Sequence, residues 1–210
     1  LTPIEHKTSA QIKRSPYGIC AHLPRQKDYE NPFDPIHLID ANPETCWSSQ
    51  QNNSTYPGKP PWVVIELAQP TFLTQINFVP YWNNGEFPIG YRIQGATEDQ
   101  AWKDLIMVKH HAFNHQGPLR GEKIVQEIHL PEARSVNQVR ILFERLPLAG
   151  GTYAEVSQGY KARLAGIELL DTDGSNVAVL EKGATIDASD TFTGWQNTQE
   201  TIDAAFPKII

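Results

Sequence analysis

The stretch Trp62-Val63-Val64-Ile65-Glu66-Leu67 carries the clearest structural signal in the chain. Val63, Ile65 and Leu67 occupy alternate positions, and a two-residue period places them on one face of an extended strand. The run is rich in β-branched residues and contains an aromatic, which are residue types that favour strands. It therefore predicts a β-strand with one face buried in a core.

Several segments further along the chain carry the same extended pattern. The turn-forming pair Gln69-Pro70 separates the first strand from the next. The predicted strands that follow are residues 72–79, 89–96, 124–130, 139–143 and 164–170. Helical periodicity is hard to find, and only residues 35–39 and 98–102 are expected to close single helical turns. The pattern predicts an all-β chain folded as an antiparallel β-sandwich.

The composition and the net charge argue against a nucleic-acid partner and against a membrane span. The 210 residues suffice for one sizeable domain and an appendage. The 18 Lys and Arg against 24 Asp and Glu give a formal charge of −6, without a basic stripe. This argues against a nucleic-acid partner. No apolar run approaches the roughly 18 residues of a membrane-spanning helix, so no membrane span is expected.

The predicted strands are separated by long loops. Sixteen prolines and fourteen glycines punctuate the chain. The loops expected from this pattern are residues 15–33, 48–61, 81–88, 110–121 and 146–161. Connecting loops of a sandwich gather at its two ends, and loops longer than about 12 residues inside a compact domain are usually functional or disordered. A recognition surface is therefore expected at one end.

An ordered series of motifs resembles one known family. Residues 38–48 (Leu-Ile-Asp-Ala-Asn-Pro-Glu-Thr-Cys-Trp-Ser) resemble the aspartate, small residue, asparagine, threonine and tryptophan signature of discoidin, or coagulation factor 5/8 type C, domains. Residues 61–67 resemble their W-x-x-I-D-L strand, and residues 91–102 resemble Y-x-I-x-x-S-x-D-G-x-x-W. Residues 139–142 and 164–169 resemble the two closing strands. The resemblance covers about residues 4–171 and implies a galactose-binding-like jelly roll.

That fold is shared by bacterial family 32 carbohydrate-binding modules, lectins and discoidin domains that bind phospholipid or protein, so the loops must decide the ligand. In many bacterial members a structural calcium ion lies beside the aspartate-to-threonine turn. The resemblance assigns it to Asp40, Asn42 and Thr45, since calcium takes six to eight oxygen ligands. The family's last ligand, a glutamate, aligns with Gly166, and Glu168 on the same face is the expected substitute. Alternatively, Asp40 and Thr45 simply tie the turn.

The loop at residues 80–88 is the first candidate for a sugar site. Family members that bind sugar present a basic residue here, and this chain has Trp82 near that position. An indole ring packs against sugar C–H groups, and the amides of Asn83 and Asn84 donate and accept hydrogen bonds. The other interpretation is that Trp82 closes the end of the core while Asn83-Asn84-Gly85 forms the turn.

Three more loop residues are candidate ligand contacts. His111 belongs to a cluster with His110 and His115, and Arg120 nearby has the chemistry to pair with a carboxylate or sulfate. Tyr153 follows two glycines, which leave an aromatic ring exposed at a loop tip. The alternative for all of them is ordinary polar loop chemistry.

Catalytic motifs are missing from the sequence: there is no G-x-S-x-G elbow, phosphate-binding glycine loop or H-E-x-x-H. We therefore expect a non-enzymatic carbohydrate-binding module of a larger, secreted, periplasmic or cell-surface bacterial protein that degrades or processes glycans. Its expected partners are a glycan or oligosaccharide and neighbouring modules of the same polypeptide. The alternative is a structural or protein-interaction module that docks a neighbouring catalytic domain. A lipid-binding domain ranks last, because the 48–61 loop offers only Tyr56 and Lys59.

The chain divides into two predicted regions, a discoidin-like β-sandwich over residues 1–171 and a linker and tail over residues 172–210. Residues 177–189 resemble the opening strand of another discoidin-like module. The tail is expected either to begin a second module or to pack back on the first through Phe192 and Trp195. Cys20 and Cys46 are expected either to form one disulfide or to remain packed thiols.

Overall fold

The computed structural model describes residues 33–81, 86–97, 101–111, 123–149 and 159–192. These residues form nine strands: β1 (Trp47–Ser48), β2 (Trp62–Pro80), β3 (Gly90–Ala96), β4 (Lys103–Val108), β5 (Gln126–Arg145), β6 (Leu148–Ala149), β7 (Gly159–Tyr160), β8 (Arg163–Asp171) and β9 (Thr185–Ala188). Two 3₁₀ turns, Pro35–Leu38 and Leu180–Lys182, accompany them. The described part of the chain has no helix with the length and hydropathy of a membrane span. The all-β prediction is confirmed.

The two longest strands bend and belong to both layers of the sandwich. Residues 62–66 of β2 pair antiparallel with residues 138–142 of β5, and residues 71–78 pair with residues 126–136. The four residues 67–70 lie opposite Asn137 alone, and such a bulge bends and twists the paired strands. One layer contains β9, the first half of β2, the second half of β5, β3 and β4, and the other contains the remaining halves with β8 and β1.

The turn predicted at Gln69-Pro70 is wrong, because β2 continues through it as a bulged strand. Proline has no N–H to donate to the ladder and is tolerated where a bulge interrupts pairing. Each of the other predicted strands lies largely within β2, β3, β5 or β8. The helical turn predicted at residues 35–39 is confirmed as the 3₁₀ turn Pro35–Leu38. The second, at residues 98–102, falls partly outside the described residues.

The core lies between the two layers. The Trp47 ring is fully buried, and its centroid lies 5.4 Å from that of Phe143 on the facing layer. Phe78 and Tyr91 also belong to facing layers and pack against each other, with ring centroids 4.9 Å apart. Other large side chains that are almost completely buried are Leu38, Ile39, Ile65, Leu73, Ile76, Ile93 and Ile141. Burial of these apolar surfaces between the layers holds the sandwich together.

Residues 172–192 lie against the sandwich. Strand β9 pairs with β2, with Ala188 opposite Val63. The indole N–H of Trp47 donates to the main-chain oxygen of Asp190 at 3.2 Å, and the Phe192 ring meets Phe33 edge to face at 5.4 Å. Trp195 lies outside the described residues, and a second module in residues 172–210 stays a prediction.

One end of the sandwich gathers four of the long loops. In one layer, Gly90 pairs with Arg145 and Tyr91 with Val108. In the other, Ser48 pairs with Arg163, and Phe78 with Gln126. Segments 49–61, 81–89, 109–125 and 146–162 therefore begin and end at this edge of both layers. We call it the loop end; β2 bends at the opposite end.

Candidate functional site

An exposed aromatic ring lies over an arginine at the loop end. The Tyr56 residue is 61% exposed, and the guanidinium carbon of Arg145 lies 5.4 Å from its ring centroid. Arg145 Nη1 donates to His110 Nδ1 at 3.1 Å. We call Tyr56, His110 and Arg145 the Tyr56 platform. It combines a flat apolar face, a permanent cation and an imidazole on one surface.

Main-chain contacts fix this platform. The Leu146 N–H donates to the carbonyl oxygen of Thr55 at 2.8 Å, and the Thr55 hydroxyl donates to the Leu146 carbonyl at 2.6 Å. A Cβ atom built on Gly90 would lie 2.9 Å from the Arg145 Cβ and 3.0 Å from the Lys109 carbonyl oxygen. The absence of a side chain at Gly90 therefore allows the strand ends that carry the platform to approach closely.

The imidazole of His110 has a defined role in this arrangement. An arginine only donates hydrogen bonds, so Nδ1 of His110 accepts and its ring proton resides on Nε2. The side chain is exposed. The platform therefore has an imidazole N–H donor in addition to the donors of the guanidinium.

His111 faces the protein interior instead. Its Nε2 donates to Gln126 Oε1 at 3.1 Å, which leaves Nδ1 to accept from the Tyr91 hydroxyl at 3.0 Å. Its ring centroid lies 5.0 Å from that of Phe87. Burial raises the pKa of the Tyr91 hydroxyl and so keeps it protonated as the donor. Both nitrogens of His111 are thus engaged in joining the two layers, and its predicted contact with a ligand stays a prediction.

A buried charged cluster lies at the same end. Lys161 Nζ is 3.2 Å from Glu86 Oε1, and Arg163 Nε is 2.7 Å from Glu86 Oε2 without the alignment of a hydrogen bond. The three side chains are only 9% to 12% exposed. We call Glu86, Lys161 and Arg163 the charged cluster. Two cations thus approach the same carboxylate from different segments of the chain.

Aromatic rings surround the charged cluster. Lys161 Nζ lies 4.8 Å from the Phe192 ring centroid, and the Arg163 guanidinium lies 5.3 Å from Phe33 and 5.7 Å from Tyr81. These ring faces attract cations and replace part of the lost hydration. Burial lowers the pKa of Lys161, and the neighbouring Arg163 lowers it further, while Glu86 opposes both effects.

This pKa shift predicts a pH dependence of stability. Folded Lys161 has a pKa below its ordinary value of 10.5, so between those two values the unfolded chain binds more protons. The free energy of unfolding contributed by this residue therefore rises with pH across that window. In the Lys161→Met variant, which keeps the apolar stem, we expect this rise to be lost. Urea unfolding of the wild type and of the variant from pH 7 to about 10 measures the free energy of unfolding at each pH. Profiles that rise in parallel for the two proteins would contradict the prediction.

The predicted calcium ligands form a compact turn. Asp40 Oδ2 accepts from His37 Nδ1 at 3.0 Å and from the Thr45 hydroxyl at 2.7 Å. Asp40 Oδ1 accepts from the Asn42 N–H at 2.8 Å, and Ala41 between them has the left-handed φ of 57°. We call residues 37–45 the Asp40 turn. The carboxylate organises the turn from its centre.

The fourth predicted ligand is engaged elsewhere. Glu168 accepts from Asn77 Nδ2 at 2.9 Å and forms an ion pair with Lys123. It lines the same pocket as Asn42, but a lysine already neutralises its charge. Among the residues that the structure describes, no three His, Cys, Asp or Glu side chains lie close enough to share a metal. The Asp40 turn brings three of the predicted ligands together, and the role of Glu168 as the fourth stays a prediction.

The structure describes only some of the residues predicted from the sequence. Asp40, Asn42 and Thr45 come together. Trp82, Asn83, Asn84, Arg120 and Tyr153 lie outside the described residues, as does Cys20, the predicted partner of the buried Cys46.

Sequence reasoning missed the roles of Arg145 and of the charged cluster. Arg145 continues the alternating inward set of Val139, Ile141 and Phe143, which would have placed its side chain at the end of the core. This two-residue alternation is visible in the sequence, so the position of Arg145 was predictable. The meeting of Glu86 with Lys161 and Arg163 has no local signal, because about 75 residues separate them.

Comparison with known sequences identifies the family. The family model described as the F5/8 type C domain matches residues 23–156, which is more than half of the chain. The chain therefore belongs to the F5/8 type C domain family, as the motif series implied. No curated protein sequence matches it significantly.

Solved structures with a similar fold include carbohydrate-binding modules. CBM32-3 from a family 31 glycoside hydrolase of Clostridium perfringens has 16% identity and a TM-score of 0.50 over 66% of this chain and 82% of that one. The family 32 module of NanJ from C. perfringens, solved in complex with galactose, has 15% identity and a TM-score of 0.46 over 68% and 88% of the two chains. At 16% identity the likeness to CBM32-3 shows the fold alone, a galactose-binding-like β-sandwich.

Proposed function

We propose that this chain is a non-catalytic carbohydrate-binding module and that its glycan binds at the loop end. The Tyr56 platform carries this proposal. Sugars present C–H faces that pack on aromatic rings and hydroxyl groups that accept hydrogen bonds. The exposed ring of Tyr56, with the donors of Arg145 and His110 beside it, offers both contacts on one surface.

The rigidity of the platform supports the same function. Its residues are anchored at strand ends or by main-chain hydrogen bonds, so little conformational entropy is lost when a ligand binds. The described residues on either side of Trp82, Asn83 and Asn84 lie at the same end, and we keep these three as proposed ligand contacts. Arg120 and Tyr153 are kept on the same grounds.

We also propose that the chain is one part of a larger secreted, periplasmic or cell-surface bacterial protein that processes glycans. Support comes from the similar fold of a module that belongs to a family 31 glycoside hydrolase. In such a protein the module would hold the glycan near a catalytic domain while performing no chemistry itself.

The glycan-binding proposal predicts that removing one aromatic side chain strongly reduces the affinity for glycan. Replacing Tyr56 with alanine removes the apolar face and is expected to weaken glycan binding by about tenfold or more. Phe72→Ala is the matched control, since Phe72 is also an exposed aromatic (58%) but lies near the bend of β2, at the opposite end. A glycan array, followed by calorimetric titration of the best ligand, measures both.

Two outcomes would contradict the proposal. One is equal loss of binding in both variants, which would show that the loop end is not the site. The other is that the wild-type chain binds no glycan at millimolar concentration. In that case, capture of a neighbouring domain of the parent protein would favour the docking function instead.

A structural calcium ion at the Asp40 turn remains a separate proposal. The Thr45 hydroxyl lies 2.7 Å from Asp40 Oδ2 and 2.8 Å from the main-chain oxygen of Asn42, and this grouping of oxygens supports it. Glu168, which lines the same pocket as Asn42, is kept as the proposed fourth ligand, and main-chain oxygens or water would complete the shell. The glycan site proposed above does not depend on this ion.

A further inference from the structure

We infer that the glycan recognised at the loop end carries an anionic group, a carboxylate or a sulfate, and that Arg145 binds this group while Tyr56 packs against the sugar ring. This inference rests on the proposed function and specifies its ligand class.

Arg145 differs from the other described arginines in its partners. Arg92, Arg134 and Arg163 each pair with a carboxylate. Arg140 instead donates from Nε and Nη2 to Gln94 Oε1, and the Trp102 ring covers it. Within the described part of the chain, Arg145 has no carboxylate within 4 Å; its partners are His110 and the Tyr56 ring.

The donors of Arg145 are incompletely used. Its Nη1 donates one hydrogen bond to His110, and its Nε is buried, so the remaining N–H groups of Nη1 and Nη2 are the donors open to an external ligand. A guanidinium has five N–H donors in one plane, a geometry that matches the paired oxygens of a carboxylate or sulfate. Arg145 is therefore a fixed cation whose charge and donors call for an external anion.

The ring of Tyr56 makes the expected ligand a sugar with an anionic substituent. A free inorganic anion would pair with Arg145 and gain nothing from the exposed ring. A neutral sugar would pack on the ring and leave the guanidinium charge without a counter-ion. An acidic or sulfated sugar satisfies both groups, and the Nε2–H of His110 offers it a further donor.

The test compares three probes of equal length: a neutral oligosaccharide, a uronic-acid oligosaccharide and a sulfated oligosaccharide. Calorimetric titration of the full chain at low and high salt is expected to show that at least one anionic probe binds about tenfold or more tightly than the neutral one. That preference should shrink as salt rises. The two anionic arms identify carboxylate or sulfate as the recognised group.

Variants then assign the preference to one side chain. Arg145→Gln should remove this preference, because its loss of affinity for the anionic probe is expected to be about tenfold larger than its loss for the neutral probe. Arg145→Lys keeps the charge without the planar fork and should retain part of the preference. Arg134→Gln is the control, because it removes the same charge from β5 at the opposite end. Circular dichroism and urea unfolding check that each variant is folded.

The results separate this inference from the proposed function. Equal affinity of the wild-type chain for neutral and anionic probes would overturn the inference and leave glycan binding intact. An equal loss of affinity for all probes in Arg145→Gln would also overturn the inference, because the arginine would then be binding the hydroxyl groups that all the probes share. Binding of none of the probes or of any arrayed glycan would overturn both.

Discussion

The Glu86→Gln variant is expected to have a free energy of unfolding about 3–5 kcal/mol lower than the wild type. The substitution keeps the shape of the side chain and removes its charge. Lys161 and Arg163 then remain largely buried, with 12% and 11% of their side chains exposed, without the carboxylate between them. Urea unfolding followed by circular dichroism measures the difference at unchanged m-value.

Two further variants make this result specific. Glu144 pairs with Arg92 at 2.8 Å but is 35% exposed, so Glu144→Gln should cost about 1 kcal/mol or less. The double variant Glu86→Gln with Lys161→Met removes one of the two cations and should recover part of the loss. A Glu86→Gln protein as stable as the Glu144→Gln protein would show that the charged cluster is well solvated.

Asp40→Ala is expected to lower the free energy of unfolding by about 2–4 kcal/mol. The change removes the acceptor shared by His37, Thr45 and the Asn42 N–H. Asp104→Ala serves as the control, because Asp104 also accepts hydrogen bonds but is 47% exposed, and it should cost about 1 kcal/mol or less. Chemical unfolding of both variants tests whether the Asp40 turn depends on its central carboxylate.

The same variant tests the calcium proposal. A bound ion stabilises the folded state by mass action. Millimolar calcium should then raise the Tm of the wild type, EDTA should reverse the rise, and Asp40→Ala should not respond. An unchanged Tm in calcium would show that hydrogen bonds alone tie the turn. A stability loss in Asp40→Ala no larger than in Asp104→Ala would contradict the structural role itself.

The fold was predictable where one face of a strand is buried. The alternation of residues 62–67 follows directly from a buried face, and the structure buries Val63, Ile65 and Leu67. The turn predicted at Gln69-Pro70 was wrong because a proline between two apolar runs has the same local pattern in a turn and in a bulge. Only the pairing with β5 distinguishes them. Strand β4 was not predicted, since Lys103 to Val108 has no clean alternation.

The candidate site was predictable only where its residues are neighbours in sequence. Asp40, Asn42 and Thr45 lie within six residues, so a short turn necessarily brings them together. The pairing of Glu168 with Lys123 depends on how a loop returns across β8, which no local pattern encodes. The charged cluster likewise joins distant segments. The packing of Arg145 under Tyr56 depends on the path of the 49–61 loop.

The passage of β2 and β5 through both layers has a mechanical consequence. Two independent sheets in a sandwich are able to slide over one another in a shear motion. Here such sliding would strain the backbone at the bend and break the ladders on either side of it, because the same two strands continue from one sheet into the other. In the glycan-binding function proposed above, the domain should therefore transmit tension from a bound glycan chain as a single stiff body.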